Sequence, residues 1–336
     1  MKSGLKIIVQ SNKFIYEYLK KKIGKIHKIS YHKTQNKEFF SNCKDSDVLV
    51  TMSWGKTMFG GKEETSLIPP KKLKLLHLPG AGLDGIDFSK VSKSTKVCNV
   101  YGHEIPIAEF CLGTILSWEM QLIKKINNFK KLDWKDSLVF AAPFHGELYK
   151  KNIGIIGYGR IGKELSKKLY SFDTNVTVFT RKKVKKDKFI HNAFLSREIK
   201  KYIHLFDYVV ITCSLNESTK NLIEKNLFKL MKKTAVILNI ARGEIINEKD
   251  LYEALKTKKI GGAIIDTWYN YPIKPSMKFK PSYYNFHKLD NIIMTPHISA
   301  WSKNMIIRRS DLIKTNIENL FNGKDLYNQI NFSNFL

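Results

Sequence analysis

Arginine is scarce in this chain. Only six of its 58 basic residues are Arg (Arg160, Arg181, Arg197, Arg242, Arg308, Arg309), which leaves 52 Lys spread along all 336 residues. Against them stand 30 acids, a formal net charge of +28. An excess of that size usually points to nucleic acid, but readers of phosphates and bases lean on the planar, bidentate guanidinium. Dispersed Lys instead describes a solvated surface, so no nucleic-acid partner is expected. The positive field would still draw in anionic cofactors and substrates. Cysteine is nearly absent too: Cys43, Cys98, Cys111 and Cys213 form no CxxC and have no His at metal-ligand spacing. That excludes a disulfide scaffold and a Cys-based metal site, and it suits a reduced, cytoplasmic protein. No apolar run reaches the roughly 18 residues a membrane-spanning helix requires. The apolar stretch Leu5 to Val9 is too short for a secretion signal. Repeats, low-complexity tracts and Pro-rich linkers are missing as well.

What remains is an ordinary globular composition, 43% apolar and 26% charged. The chain is longer than one hydrophobic core usually serves, so two domains are expected. Short apolar runs alternate with helical patterns, the mark of a parallel α/β architecture. Leu5–Val9, Asp47–Met52, Leu73–Leu78 and Val97–Val100 read as strands of a first unit. A second series runs Asn152–Ile156, Asn175–Phe179, Tyr208–Cys213, Ala235–Ile240, Gly262–Asp266 and Ile292–Thr295. These runs are rich in Val and Ile without alternation, as in strands buried on both faces. One long amphipathic helix is predicted between the series, from about Pro106 to Phe129. Pro106 suits its first position, and Ile107, Phe110, Cys111, Thr114, Ile115 and Trp118 supply its buried stripe. A C-terminal helix, Ser302 to Asn322, is expected to return to the first unit.

Directly after the strand at 152–156 comes Gly157-Tyr158-Gly159-Arg160-Ile161-Gly162, and then the helical pattern Ile161, Leu165, Leu169, Phe172. A GxGxxG alone carries little, but between a strand and a helix it reads as a dinucleotide loop. The first glycine makes the tight turn, the second lets the backbone approach a pyrophosphate, and the third permits close helix–strand packing. The end of the next strand selects the cofactor, because a carboxylate there accepts from the adenosine ribose. Here Thr180 is followed by Arg181-Lys182-Lys183. No acid repels a 2′-phosphate and Arg181 can pair with it bidentately, which predicts NADP(H) over NAD(H).

Three later segments complete a pattern: Asn239-Ile240-Ala241-Arg242-Gly243, Gly261 to Trp268 around Asp266, and Met294-Thr295-Pro296-His297-Ile298-Ser299. With the glycine loop they resemble the D-isomer-specific 2-hydroxyacid dehydrogenases, a family that includes glyoxylate/hydroxypyruvate reductases, phosphoglycerate dehydrogenase and formate dehydrogenase. The resemblance spans nearly the whole chain. His77 to Asp87, with Gly80, Ala81 and Gly82, matches the family's substrate loop. Asn99 to Gly102 and Ala108-Glu109 match the entry into the interdomain helix, and Cys213-Ser214 through Thr219 matches the loop under the nicotinamide. The resemblance implies two Rossmann-like and flavodoxin-like doubly wound parallel-sheet domains with an interdomain active-site cleft. It puts the substrate-binding domain at 1–102 plus 298–336 and the dinucleotide-binding domain at 103–297. It also implies a homodimer joined through the cofactor domain. Cofactor contacts fall on Gly157, Gly159, Arg160, Ile161, Gly162, Thr180, Arg181, Lys182, Cys213, Ser214, Thr219, Ile240, Ala241 and Asp266.

The chemistry suits the residue types. Reducing a 2-oxo acid needs a cation for its carboxylate and a proton for the developing alkoxide. Arg242 can clamp carboxylate and carbonyl oxygen with two donors. His297 can give the proton in reduction and take it in oxidation. Amides around Gly80–Gly82 offer a backbone nest, and Trp54, His103 and Trp301 are candidates to wall a substrate pocket.

One departure stands out. The family places a Glu beside the His, 29 residues after the Arg; here that position is Tyr271. A carboxylate would stabilise imidazolium, whereas Tyr271 carries no charge near neutrality. His297 is therefore expected to titrate at or below about 6.5. Formate dehydrogenases put Gln at the Glu slot and Asn where His103 stands, which argues against formate. The leading reading is an NADP-dependent reductase of glyoxylate/hydroxypyruvate type. The alternatives are an NAD-dependent phosphoglycerate-like dehydrogenase, a dinucleotide sensor that has lost catalysis, and a nucleic-acid binder resting on charge alone.

Overall fold

A computed structural model describes residues 3–10, 12–56, 70–272 and 278–332. The chain divides into two compact units: Met1–Gly102 with Pro272–Lys278 and Ser302–Leu336, and His103–Tyr271 with Phe279–Trp301.

The first unit holds a five-stranded sheet of β1 (Lys6–Gln10), β2 (Lys28–His32), β3 (Val48–Val50), β4 (Leu75–His77) and β5 (Lys96–Cys98). Their order is β2-β1-β3-β4-β5 and all neighbours are parallel, the flavodoxin-like winding. Apolar clusters cover both faces: Ile7, Val9, Val48 and Leu75 on one, Ile8, Leu49, Leu76 and Val97 on the other. Burial on both sides is why these strands read as continuous apolar runs. β2 has no continuous apolar run to announce it, because Lys28, Ser30 and His32 alternate with Ile29 and Tyr31 at the sheet edge. The helix Lys303–Phe321, capped by the Ser302 hydroxyl accepting from the Met305 amide, packs Met305, Ile306, Ile313 and Ile317 onto this sheet.

The second unit holds seven parallel strands: β6 (Asn152–Ile156), β7 (Asn175–Thr180), β8 (Asn192–Leu195), β9 (Tyr208–Ile211), β10 (Val236–Asn239), β11 (Gly262–Ile265) and β12 (Ile292–Met294). The order is β12-β11-β10-β9-β6-β7-β8. The chain winds outward from β6 through β7 and β8, then crosses to β9 and winds the other way. The reversal puts the topological switch point at the carboxyl ends of β6 and β9, where such sheets receive ligands.

The single helix expected over 106–129 is two helices. Glu104–Glu119 buries Ile107, Ala108, Cys111 and Ile115. Gln121 then turns left-handed at φ 51°, and Leu122–Phe129 follows with no buried residue. Pro106 sits third rather than first, still within the turn whose amides have no intrahelical partner. The return to the first unit comes at Ser302 rather than 298, because the amides of Ile298 and Ser299 are tied into the second unit by Asp266.

Candidate active site

The glycine loop is built as its spacing requires. Gly157, after β6, has φ +101°, and a Cβ there would lie 2.8 Å from the Cys213 amide nitrogen after β9. A Cβ on Gly162 would meet the Gly157 carbonyl at 2.4 Å, so that glycine lets the helix Arg160–Tyr170 sit against the turn. A Cβ on Gly159 meets nothing within 4 Å, which leaves room for close approach by a ligand. Gly159 is also the N-cap of that 11-residue helix and supplies no side-chain cap. A helix N-terminus beside an open glycine fits a pyrophosphate. Arg160 is exposed and Ile161 half-buried.

Other residues expected at the cofactor divide into two groups. Arg181, Lys182 and Ser214 are exposed and Cys213 is half-buried, its thiol pushed up to about 11 by burial. Thr180 and Thr219 instead serve their own loops. The Thr180 hydroxyl donates to the Lys182 carbonyl at 2.6 Å, and that of Thr219 to the Ser214 carbonyl at 2.7 Å. The side chains of Ile240 and Ala241 belong to the two cores flanking the sheet.

Arg242 leaves the end of β10 through a turn fixed by Asn239. That side chain donates to the Arg242 carbonyl at 2.8 Å and accepts from the Ala241 amide at 3.1 Å. The guanidinium is oriented by Nη1 donating to the Ala241 carbonyl at 2.8 Å. Gly243 follows because a Cβ there would lie 2.6 Å from the Trp268 carbonyl carbon.

Tyr271 occupies the expected Glu position in space as well as in sequence. Its hydroxyl is 2.9 Å from His297 Nδ1 and accepts from the Trp268 amide at 3.1 Å. Burial pushes the Tyr271 phenol up, against the Trp268 amide and the Arg242 charge. Burial pushes the His297 imidazolium down, Arg242 adds to this, and Asp266 opposes it. So the site is a neutral imidazole–phenol pair in the field of one guanidinium. His297 adopts a left-handed φ of 60°, a conformation that costs a non-glycine residue about 1 kcal/mol or more and persists only where surroundings enforce it.

Asp266, expected at the cofactor, has 0% of its surface exposed. Its Oδ1 accepts from the Thr295 hydroxyl and the Ile298 amide, and its Oδ2 from the Ser299 amide. Both oxygens are committed to the turn that carries His297. Sequence reading also missed Trp268, which donates Nε1–H to the Thr295 carbonyl at 2.8 Å and its amide to Tyr271. The signal was available: a buried Trp must place its N–H on an acceptor.

The pocket candidates separate. Trp54 is buried against Phe39 and Phe40, with Nε1 donating to the Lys90 carbonyl at 2.8 Å. Trp301 is exposed. His103 starts the helix at 104, largely buried beside Glu104. Gly80 is buried and backs onto the Met52 side chain, while Ala81 and Gly82 are half-buried, the Ala81 carbonyl accepting from Asn99. Among the described residues no His, Cys, Asp and Glu group could hold a metal ion, and no helix is long and apolar enough to cross a membrane.

A doubly wound parallel sheet with an open glycine loop at its switch point and an Arg–His pair at its strand ends defines a dinucleotide-dependent oxidoreductase. A family profile described as D-isomer specific 2-hydroxyacid dehydrogenase, NAD binding domain, matches residues 112–299. The chain is 30% identical over 300 residues to a D-3-phosphoglycerate dehydrogenase of Methanocaldococcus jannaschii, covering 88% of this chain and 54% of that protein. It thus spans about half the length of that relative. A glyoxylate reductase of Pyrococcus horikoshii is 30% identical over 286 residues, covering 82% of this chain and 79% of that one. In fold, a D-isomer specific 2-hydroxyacid dehydrogenase family protein from Aeromonas salmonicida superposes with a TM-score of 0.81 at 21% identity, over 99% of this chain and 100% of that one. The chain belongs to the D-isomer specific 2-hydroxyacid dehydrogenase family, whose members are NAD(P)-dependent dehydrogenases and reductases.

Proposed function

We propose that this chain reduces a small 2-oxo acid of glyoxylate or hydroxypyruvate type with NADPH. The observation that carries the reading is the His297–Tyr271 contact of 2.9 Å in the field of Arg242. Arg242 binds the substrate carboxylate and polarises the carbonyl, and His297 delivers the proton to the alkoxide oxygen. Gly157, Gly159 and Gly162 with the amides at the start of the 160–170 helix would hold the cofactor pyrophosphate, and the nicotinamide supplies the hydride when bound. Amides at Gly80–Gly82 are proposed for the second carboxylate oxygen.

The preference for NADPH rests on Arg181, Lys182 and Lys183, all exposed at the end of β7. Asp187, the only acid in the run 181–188, accepts from the Tyr158 hydroxyl at 2.8 Å. A panel of glyoxylate, hydroxypyruvate, pyruvate and phenylpyruvate, followed by loss of reduced-nicotinamide absorbance, tests both parts. Turnover is expected with glyoxylate or hydroxypyruvate, and kcat/KM for NADPH should exceed that for NADH about 10-fold or more, one well-placed charge-assisted contact. A clear NADH preference would reject the cofactor assignment.

A second reading, NAD-dependent oxidation of a D-2-hydroxy acid such as a phosphoglycerate, is favoured by one feature. The depressed His297 is a neutral imidazole at pH 7 and hence a ready base. Oxidation of 3-phosphoglycerate faster than any 2-oxo acid reduction would select it.

The chain is also proposed to act as a homodimer through residues 120–149. Leu122, Ile123, Ile126 and Phe129 are exposed on one helix, and beyond it Leu138 is 91% and Phe144 99% exposed. So much apolar surface in one segment marks an interface, and a symmetric pair buries the same patch on both copies. Leu138→Asp combined with Phe144→Asp should convert a dimer to a monomer in sedimentation; an unchanged mass would remove this surface from the assembly.

A further inference from the structure

The run 181–188 after β7 reads Arg-Lys-Lys-Val-Lys-Lys-Asp-Lys, and its six cations and one acid are all exposed. Like charges so dense repel one another and favour a loose, solvated segment. This one is pinned at three points instead. The Thr180 hydroxyl donates to the Lys182 carbonyl at 2.6 Å. Val184, half-buried, packs on the same core that takes Tyr158 and Ile161 of the glycine loop. The third pin is Asp187. Its Oδ1 accepts from the Phe189 amide at 2.9 Å, and its Oδ2 from the Tyr158 hydroxyl at 2.8 Å, 29 positions away. Burial, and then the Asp187 carboxylate, push the Tyr158 phenol up, so it remains the donor.

We propose that Tyr158 and Asp187 form a strap that sets cofactor specificity, tying the cationic run after β7 to the glycine loop for the 2′-phosphate of an adenosine dinucleotide. This rests on the reading of the chain as an NADPH enzyme. Two effects work together. Pyrophosphate and 2′-phosphate belong to one ligand, so the glycine loop and the cations must stand at a fixed separation. Tyr158 stands between Gly157 and Gly159, and its bond to Asp187 sets that separation before the ligand arrives, which lowers the ordering cost of binding. The strap also holds the single carboxylate of the run on a tyrosine hydroxyl. Released, that carboxylate would be a like charge among the cations meant for the phosphate, a juxtaposition that disfavours the anion. A dinucleotide without the 2′-phosphate needs neither effect, so Tyr158 and Asp187 are positioning residues for the phosphate alone.

The test is Tyr158→Phe, which keeps the ring and removes the donor. KM for NADPH should rise about 10-fold while KM for NADH stays within about 2-fold, the loss of one hydrogen bond to a charged group and the release of its carboxylate. An equal rise for both cofactors, as a merely structural bond would give, or no rise at all, would overturn the inference. Should that variant not fold, Asp187→Ala decides from the exposed side. It loses the strap and the carboxylate together, so KM for NADPH should rise only about 3-fold, again without NADH. An unaltered ratio of the two KM values would overturn the strap. Wild-type preference for NADH would instead remove the reading beneath. Calorimetric titration with adenosine 2′,5′-bisphosphate and 5′-AMP still reports on the strap in that case: Tyr158→Phe should weaken the bisphosphate alone, and an unchanged ratio of the two affinities would overturn it.

Discussion

Replacing Arg242 with Gln should lower kcat/KM for 2-oxo acid reduction by about 10³-fold, the loss expected when a preorganised charge is taken from a developing oxyanion. The guanidinium is not a loose surface cation. Asn239 fixes the turn it stands on, and the Ala241 carbonyl sets the plane of its fork at 2.8 Å. Arg242→Lys should recover little. A lysine presents a point charge instead of two parallel donors, so roughly 100-fold of the loss should persist. That comparison is pointed in a chain whose basic residues are otherwise overwhelmingly Lys. The variants carry an internal signature as well. Arg242 helps to hold the His297 imidazolium down, so the residual activity of Arg242→Gln should keep its acid-dependent limb to a higher pH than wild type. Unchanged circular dichroism and NADPH fluorescence would show that the loss lies in the chemistry. Turnover within a few-fold of wild type would remove Arg242 from the substrate.

The parts of this arrangement visible in the sequence are those set by local rules. Gly157, Gly159 and Gly162 carry distinct backbone duties that their spacing alone announces, and β6, β7, β9, β10, β11 and β12 are apolar runs because both sheet faces are covered. Tyr271 could be placed against His297 because the family resemblance implies a residue beside the His 29 positions after the Arg, and the Tyr271 hydroxyl lies 2.9 Å from His297 Nδ1. What was hidden depends on contacts distant in sequence. Nothing near Asp266 says that its carboxylate closes on residues 29 to 33 positions away. Trp54 looks the same in sequence whether its ring faces Phe39 or a substrate. The break at Gln121 lies inside a run that keeps helical periodicity on both sides, so pattern alone carries one helix through it. β8 escaped because an edge strand of four residues with an exposed Asn192 has too little apolar signal.

Changing Tyr271 to Glu should move the pH profile of reduction upward by about 1 unit or more. The sign follows from the roles proposed above. Reduction consumes a proton from the imidazolium, so the rate is high below the His297 pKa and falls as pH rises through it. Burial and Arg242 set that pKa below its ordinary value, and wild-type reduction should therefore fade already on the acidic side of neutrality. A carboxylate at 271 would face the same Nδ1 that the phenol hydroxyl now meets at 2.9 Å, on the side where the Trp268 amide serves that hydroxyl. Imidazolium would then be stabilised at neutral pH, and reduction at pH 7 should speed up while oxidation, which needs the neutral base, slows there. Tyr271→Phe separates hydrogen bonding from charge. It should lower kcat without raising the limb, because the ring loses its partner and gains no charge. His297→Gln sets the scale: loss of the proton donor should cost about 10²- to 10⁴-fold. A Tyr271→Glu enzyme with the wild-type profile would mean that the phenol only fills space, and that the His297 proton is governed by burial, Asp266 and Arg242.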